Sequence, residues 1–495
     1  MEKKIFLYAF LIVSVLCGDI YAQAPYSDSE TSKLRAFLLQ ESAVPGVKNY
    51  QQLGLSRMDD VDWSSVPGLD FHPQTYLLRA VHWNDKKLSG DLDLSGFEIL
   101  KNIFCGANEL NSLNVTGSIA IVNMDCPENN LQALDLTTNI NLEQICFKNN
   151  NVTEIDVSNN KKLTYFVCTG NQLETLDLSG LDQLSTCYCV QNNLTNLTLN
   201  NCKLLRELWC MYNNLTTLDI SGKRYLRKVA CSKNNISDLN VLNCDFLDSI
   251  DCSTNNLQNI DFSGCVELRS INCSNNIVEN IKIEDCIILE NLFCLNNNLK
   301  SLTLPESPVL SILHCKNNYF DFYSLPKISS ESVDYIYYPQ YYRVIEADIN
   351  HVDLSTFYEI DGFISRFTWT DYLTLLRPEI VENGIFSFDE SLKNKQLICR
   401  IENQSFPKLV LHYDVTVTSD DVANVMPEKT INSVYASDGY IHINVSSAGK
   451  ARFYSLQGAL LMTKNVEEGH TNIPVKQGTY VVTINNGKGY KLIVR

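Results

Sequence analysis

Residues 205–225 read LRELWCMYNNLTTLDISGKRY, and residues 226–246 read LRKVACSKNNISDLNVLNCDF. Aligned, they set Leu205 over Leu226, Leu208 over Val229, Cys210 over Cys231, Asn213 over Asn234, Leu215 over Ile236, Leu218 over Leu239 and Ile220 over Val241. Outward from this pair, Cys105, Cys126, Cys168, Cys189, Cys210, Cys231, Cys252, Cys273, Cys294 and Cys315 recur every 21 residues, and Phe147 fills the one missing step. The asparagine three places on never breaks, from Asn108, Asn129, Asn150, Asn171 and Asn192 through Asn213 to Asn318.

A unit of this length cannot bury its own apolar side, so successive units must stack into a continuous core. Each contributes one short strand to a parallel sheet. At about 4.8 Å per strand, about twelve turns span on the order of 55 Å. The asparagine is the inward polar residue of each turn. Its amide satisfies backbone groups where the chain leaves the strand and stacks on its neighbours as a ladder. Parallel Cα–Cβ vectors keep the cysteine Cβ atoms about a strand spacing apart, whereas a disulfide needs about 3.8 Å. The column therefore reads as free, buried thiols acting as small apolar residues. A metal-binding ladder is the alternative, but no C-x-x-C pair or histidine cluster accompanies it. A second column, Cys202, Cys244, Cys265 and Cys286 with Asn139 and Asn160 as siblings, reads as small turn residues packed on the convex side. Cys146 is offset by one from the core column and is the expected exposed thiol of the repeats.

The unit L-x-x-L-x-C-x-x-N-x-L-x-x-L-x-L resembles the leucine-rich-repeat family, in its short bacterial form with cysteine at the third strand position. The resemblance implies an α/β-type solenoid dominated by β, wound as a right-handed superhelix with a helical N-terminal cap. Repeats are expected over 78–325 and the cap over 25–77, where Ser29 to Gln40 carries an amphipathic pattern through Leu34, Phe37 and Leu38, followed by Trp63. The first turn is irregular, with Leu78, Val81, Trp83, Leu88, Leu92 and Leu94. At the far end Phe320, Tyr323 and Leu325 still fit, and Pro326 closes the pattern.

Two small β-sandwich domains are expected to follow. Over 326–418, aromatic and β-branched runs between turn signals suggest an immunoglobulin-like sandwich with Trp369 and Cys399 in its core. A polar linker, 419–430, leads to a last domain at 431–495. There Phe453-Tyr454-Ser455-Leu456-Gln457-Gly458, Gly478-Thr479-Tyr480-Val481-Val482 and Lys491-Leu492-Ile493-Val494-Arg495 resemble the C-terminal sorting domains of type IX secretion, with hairpin turns at Gln457-Gly458 and Asn486-Gly487. The family's Pro-Asn-Pro opening is missing; Ile431-Asn432-Ser433 stands in its place. The resemblance implies passage across an outer membrane and surface attachment or release. At the other terminus, Lys3 and Lys4, the apolar run Ile5 to Leu16 and the small Ala22 and Ala24 form a secretory signal pattern over 1–24. Secretion or cell-surface exposure is the expected localisation.

The net charge is -17, which argues against nucleic acid, whose phosphates need clustered Lys and Arg. No later apolar stretch is long enough for a transmembrane helix. Seven histidines are scattered, and no H-E-x-x-H, G-x-S-x-G or phosphate-cradling loop occurs. No catalytic residue, metal site or cofactor is expected. The Asp column Asp135, Asp156, Asp177, Asp219 and Asp261 reads as a solvated face. Residues alternating with the core positions point into the hollow of the arc. They are Tyr165 and Val167; Thr186, Tyr188 and Val190; Glu207, Trp209, Met211 and Tyr212; and Lys228, Ala230 and Lys233. Exposed Tyr, Trp and Met dominate binding hot spots. The expected ligand site comprises Tyr165, Tyr188, Trp209, Met211 and Tyr212, bordered by Arg206, Lys228 and Lys233. A protein or peptide partner is the leading reading. A glycan-binding adhesin, through sugar stacking on the aromatics, and a structural surface protein are the alternatives.

Overall fold

The structure is a computed structural model that describes residues 26–305, 309–328, 332–371, 374–418, 433–437, 440–445, 449–455, 459–466, 469–476, 478–484 and 489–494. The signal segment 1–24, the linker 419–430 and the turns at Gln457-Gly458 and Asn486-Gly487 lie outside these residues. The chain forms two compact units. The first runs to Leu215 and includes Lys223–Leu226; the second takes Thr216–Gly222 and everything from Arg227.

In the first unit, Leu69–Phe71 pairs antiparallel with Leu78–His82. A parallel, in-register ladder then continues through Asn102–Phe104, Asn123–Asp125, Gln144–Cys146, Tyr165–Val167, Thr186–Tyr188 and Glu207–Trp209. With three residues per strand, the middle one faces inward: Ile103, Met124, Ile145, Phe166, Cys187 and Leu208 are all buried. The next inward position holds Cys105, Cys126, Phe147, Cys168, Cys189 and Cys210, each fully excluded from solvent. All described cysteines are free, and only Cys146 is not fully buried. Burial pushes the Cys105 thiol up to about 12, as expected for a group whose charged form has lost water.

The turn after each strand contains a left-handed residue: Ala107, Glu128, Asn149, Gly170, Gln191 and Tyr212 all have φ between 54° and 69°. The asparagine that follows uses its whole amide. Asn213 Nδ2 donates to the Cys210 carbonyl at 3.0 Å and to the Cys189 carbonyl of the preceding turn at 2.9 Å, while Oδ1 accepts the Leu194 N–H at 3.0 Å. Asn192 donates to that same Cys189 carbonyl at 3.3 Å. Successive amides are thus linked through shared backbone carbonyls, Cys189 accepting from both Asn192 and Asn213. The second column is also more specific than a row of small residues. Ser118, Asn139, Asn160 and Cys202 each donate to a carbonyl of the preceding turn, at 2.6 to 3.1 Å.

The helix Asp28–Leu38 buries Leu34, Phe37 and Leu38, and Phe37 stacks on Trp83 with ring centroids 5.6 Å apart. Glu30 accepts the Leu78 N–H at 2.9 Å, and Asn49, fully buried, bonds both ways with Ser89. These contacts bind the helix and its following loop to the start of the ladder.

The second unit repeats the ladder through Lys228–Ala230, Ser249–Asp251, Ser270–Asn272, Asn291–Phe293 and Ile312–His314. One more parallel strand, Asp334–Ile336, follows beyond Pro326. Gln340 there does the work of the asparagine column: its amide donates to the Cys315 carbonyl at 3.1 Å and accepts the Asn318 N–H at 3.0 Å. In the preceding turn Phe320, Phe322 and Leu325 are buried, while Tyr323 is 57% exposed. This corrects the placement of Tyr323 in the core. Asp321 accepts the N–H groups of both Tyr323 and Ser324, and that tight turn brings Phe322 inward instead.

Next comes a five-stranded sheet in the order Arg343–Asp348, Val410–Thr418, Gln396–Glu402, Arg366–Thr370, Leu375–Leu376, its first pair parallel. A three-stranded sheet holds Val352–Asp353, Ile385–Ser387 and Glu379–Glu382. Trp369 lies opposite Cys399 in the register, both are buried, and the Trp369 ring packs edge-on against Phe386 and Phe388. Towards the C-terminus, Ser433–Ser437, Tyr440–Val445 and Gly469–Pro474 form one sheet, and Leu460–Val466, Gly449–Tyr454, Gly478–Ile484 and Gly489–Val494 another. Ile441, Ile443, Phe453, Val466, Ile473 and Val482 make their shared core.

Candidate functional site: the aromatic face of the first unit

In a ladder of three-residue strands, the first and third residues of each strand face away from the core. Parallel register then sets these outer residues in two rows. One holds Asn102, Asn123, Gln144, Tyr165, Thr186 and Glu207; the other holds Phe104, Asp125, Cys146, Val167, Tyr188 and Trp209. Towards the end of the unit the rows become aromatic. Tyr188 and Trp209 are direct cross-strand partners and stack with centroids 4.5 Å apart and planes 24° from parallel. Tyr165 meets Tyr188 edge-on at 6.1 Å. Pairs of this kind contribute about 0.5–1.5 kcal/mol beyond their buried area, so the rings hold one another in a fixed arrangement.

A hydrogen bond locks the centre. The Tyr188 hydroxyl donates to Glu207 Oε2 at 2.6 Å. Burial, followed by this carboxylate, raises the Tyr188 phenol well above its ordinary value, so it stays a donor. Trp209 is 38% and Tyr165 37% exposed. The face thus offers a preorganised aromatic platform with one oriented carboxylate.

Tyr165, Tyr188 and Trp209 are brought together as one cluster. Tyr212 lies in the turn after the strand, 47% exposed and with φ 55°. Met211, half-buried, and Arg206, exposed, flank the same strand. Lys228 and Lys233 belong to the second unit, where both are exposed and Lys233 occupies the left-handed turn position at φ 57°. Val167, expected on the open face, is only 5% exposed because it lies in register between Cys146 and Tyr188. The sequence reading missed the role of Glu207 as the acceptor that orients Tyr188. Its one signal was the pairing of an acidic residue with a tyrosine on the neighbouring turn.

Cys146 shares this face. Its thiol is raised to about 11, by burial first and then by Asp125, so it is a protonated, weakly reactive group. Among the described residues no group of three or more His, Cys, Asp or Glu is placed to hold a metal ion. No described helix is long and apolar enough to cross a membrane.

No family model and no curated protein matches the chain. Among solved structures it is similar to the functional domain of InlJ from Listeria monocytogenes, described as including a cysteine ladder, at 18% identity and TM-score 0.41 over 69% of this chain and 90% of that one. It is similar to YopM from Yersinia enterocolitica WA-314 at 24% identity and TM-score 0.39, over 49% of this chain and 56% of that one. The leucine-rich effector YopM from Yersinia pestis matches at 21% identity and TM-score 0.39, over 52% and 88%. The structural neighbours are leucine-rich-repeat proteins, and the body of this chain is a predominantly β solenoid of about twelve turns.

Proposed function

We propose that the chain is an exported, non-catalytic recognition protein that binds a protein or peptide partner on the aromatic face of the first unit. The observation that carries this reading is the Tyr165–Tyr188–Trp209 cluster, fixed by ring contacts and by the Tyr188–Glu207 hydrogen bond yet open to solvent. A ring already held in place loses little side-chain entropy on binding, and exposed Trp and Tyr with this property dominate protein interfaces. Met211, Tyr212 and Arg206 extend the surface with residue types enriched in interfaces. On this reading the helix Asp28–Leu38 and its loop cap the solenoid. The sheets after the ladder form an immunoglobulin-like module, and the last sheets form an export module that allows attachment at an outer-membrane surface.

The deciding experiment is a protein pull-down with the full chain beside a Trp209→Ala, Tyr188→Ala double variant, followed by affinity measurement on any partner recovered. Hot-spot truncation costs about 2 kcal/mol or more, roughly thirtyfold in affinity. An unchanged affinity in the double variant would remove this face from the function. Fractionation with mass spectrometry of the mature ends tests the export part separately.

A further inference from the structure

The second unit carries another aromatic surface, well away in sequence from the solenoid face and of opposite electrostatic character. Residues 335–342 read Tyr-Ile-Tyr-Tyr-Pro-Gln-Tyr-Tyr. Three of these side chains are accounted for by packing: Tyr335 donates to the Pro326 carbonyl, Tyr337 packs on Phe406, and Tyr341 packs on Tyr319. Tyr338 and Tyr342 turn outward and are 42% and 51% exposed. Both rest on the stretch Lys408–His412. The ammonium of Lys408 sits over the Tyr338 ring at 5.8 Å, and the Tyr342 ring stacks on His412 with centroids 4.6 Å apart and planes 15° from parallel.

Arg400 lies directly across the sheet from His412. It is exposed, and among the described residues it has no ion-pair partner. Two carboxylates of the same strand pair have other partners: Glu402 faces Arg366 at 3.6 Å, and Asp414 accepts from Gln396 at 3.0 Å. Burial, and then the Arg400 charge, hold His412 down at about 4, so at neutral pH its ring is an uncharged backing for Tyr342. The result is an aromatic ring, Tyr342, half open to solvent and backed by His412, with Arg400 in register with that histidine and Lys408 over the ring of Tyr338, on a protein whose net charge is -17.

We propose that Tyr342, backed by His412 and flanked by Arg400 and Lys408, forms a binding site for a pyranose ring that carries a carboxylate, as in uronic acids and sialic acids. The chemistry fits each part. The C–H face of a pyranose packs against an open aromatic face, and a guanidinium with two free N–H edges receives a carboxylate as a bidentate pair. Lys408, already held by Tyr338, adds a second positive charge for the next residue of an acidic chain. A free carboxylated sugar and a glycan on a protein or cell surface share this chemistry.

The test is titration of the full chain with short oligomers of galacturonate, glucuronate and mannuronate and with N-acetylneuraminate, alongside the neutral galactose oligomer and a sulfotyrosine peptide. At least one carboxylated sugar is expected to bind, and the neutral oligomer roughly tenfold more weakly. Tyr342→Ala and Arg400→Gln should each weaken binding by roughly tenfold, while Trp209→Ala leaves it unchanged. Thermal unfolding of the variants verifies that the fold is retained. Binding of none of the carboxylated sugars, equal binding of the neutral oligomer, indifference to both substitutions, or preference for the sulfotyrosine peptide overturns the proposal. None of these results depends on a partner for the first unit.

Discussion

At the scale of single residues, Tyr212 holds a bulky side chain in a left-handed backbone position, at φ 55°. Every turn has a left-handed residue before its asparagine: Asn149, Gly170, Asn275, Asn296 and Asn317 in some, and Ala107, Glu128, Gln191, Lys233 and Thr254 in others. Asparagine and glycine tolerate that conformation, whereas a bulky side chain is strained by about 1–2 kcal/mol. Tyr212 is the one aromatic side chain at this position among the described turns, and it is 47% exposed. Tyr212→Asn should therefore raise the stability of the first unit by about 1 kcal/mol while weakening partner binding, read as a higher urea midpoint with reduced affinity. The neighbouring Asn213→Ala should act in the opposite direction. It strands the Leu194 N–H and removes donors from the Cys189 and Cys210 carbonyls, at about 1–3 kcal/mol for each buried group left unpaired. Chemical denaturation of the two variants side by side measures both signs. That Tyr165, Tyr188 and Trp209 share an outer face was legible in the sequence because strand alternation places them there. The left-handed backbone at Tyr212 and the hydrogen bond from Tyr188 to Glu207 were not, since neither leaves a periodic trace.

At the scale of the repeating turn, what could be read from sequence was whatever recurs. Strand positions, the thiol column and the asparagine column were legible because each turn repeats the same burial problem and solves it with the same residue. Where the repeat departs from itself, the reading faltered. Gln340 serves as the amide of a further turn, but it is displaced by one residue from the asparagine spacing and has a side chain longer by one methylene. Phe322 takes the core place expected for Tyr323 because of a local Asp321 turn. The thiol column also has a collective consequence. Cys105, Cys273 and Cys315 are each pushed up to about 12 by burial, above the ordinary thiol value of 9.0. The folded state thus holds these protons more tightly than the unfolded chain does. Their contribution is fully present below pH 9.0 and is lost as pH rises from there through the folded values. In reducing buffer the melting temperature should hold from neutral pH to about 9, then fall steeply. The fall should coincide with the appearance of thiolate absorbance, and replacing Cys273 with Ala should make it shallower. A flat melting temperature above that range would mean that the thiols are not buried in the folded state.

At the scale of the whole chain, the sequence divided the second unit where the repeat ends, but side-chain bonds cross that point. Arg343, on the first strand of the five-stranded sheet, pairs with Asp321 of the last repeats at 3.3 Å, donates to the Tyr319 carbonyl and donates to the Tyr413 hydroxyl at 2.8 Å. The Tyr323 hydroxyl reaches the Thr356 carbonyl at 2.6 Å, and Phe322 packs near Phe357 and Phe406. No pattern in the sequence signals a bond between Asp321 and Arg343, because it depends on how two different architectures meet. The Arg343 and Asp321 side chains are only 16% and 23% exposed, so each charge relies on the other and on fixed hydrogen-bond partners. Removing one member of such a pair leaves the other buried and uncompensated, at about 3 kcal/mol. Arg343→Met should therefore destabilise the end of the solenoid and the following sheet together, with hydrogen exchange rising at both 319–325 and 410–418. Arg343→Lys should recover only part of the loss, since an ammonium cannot serve Asp321, Tyr319 and Tyr413 with the geometry of a guanidinium. If the two segments respond independently, they are neighbours in contact and not one cooperative body; a matched rise in exchange identifies the joint as the element that makes them fold as one.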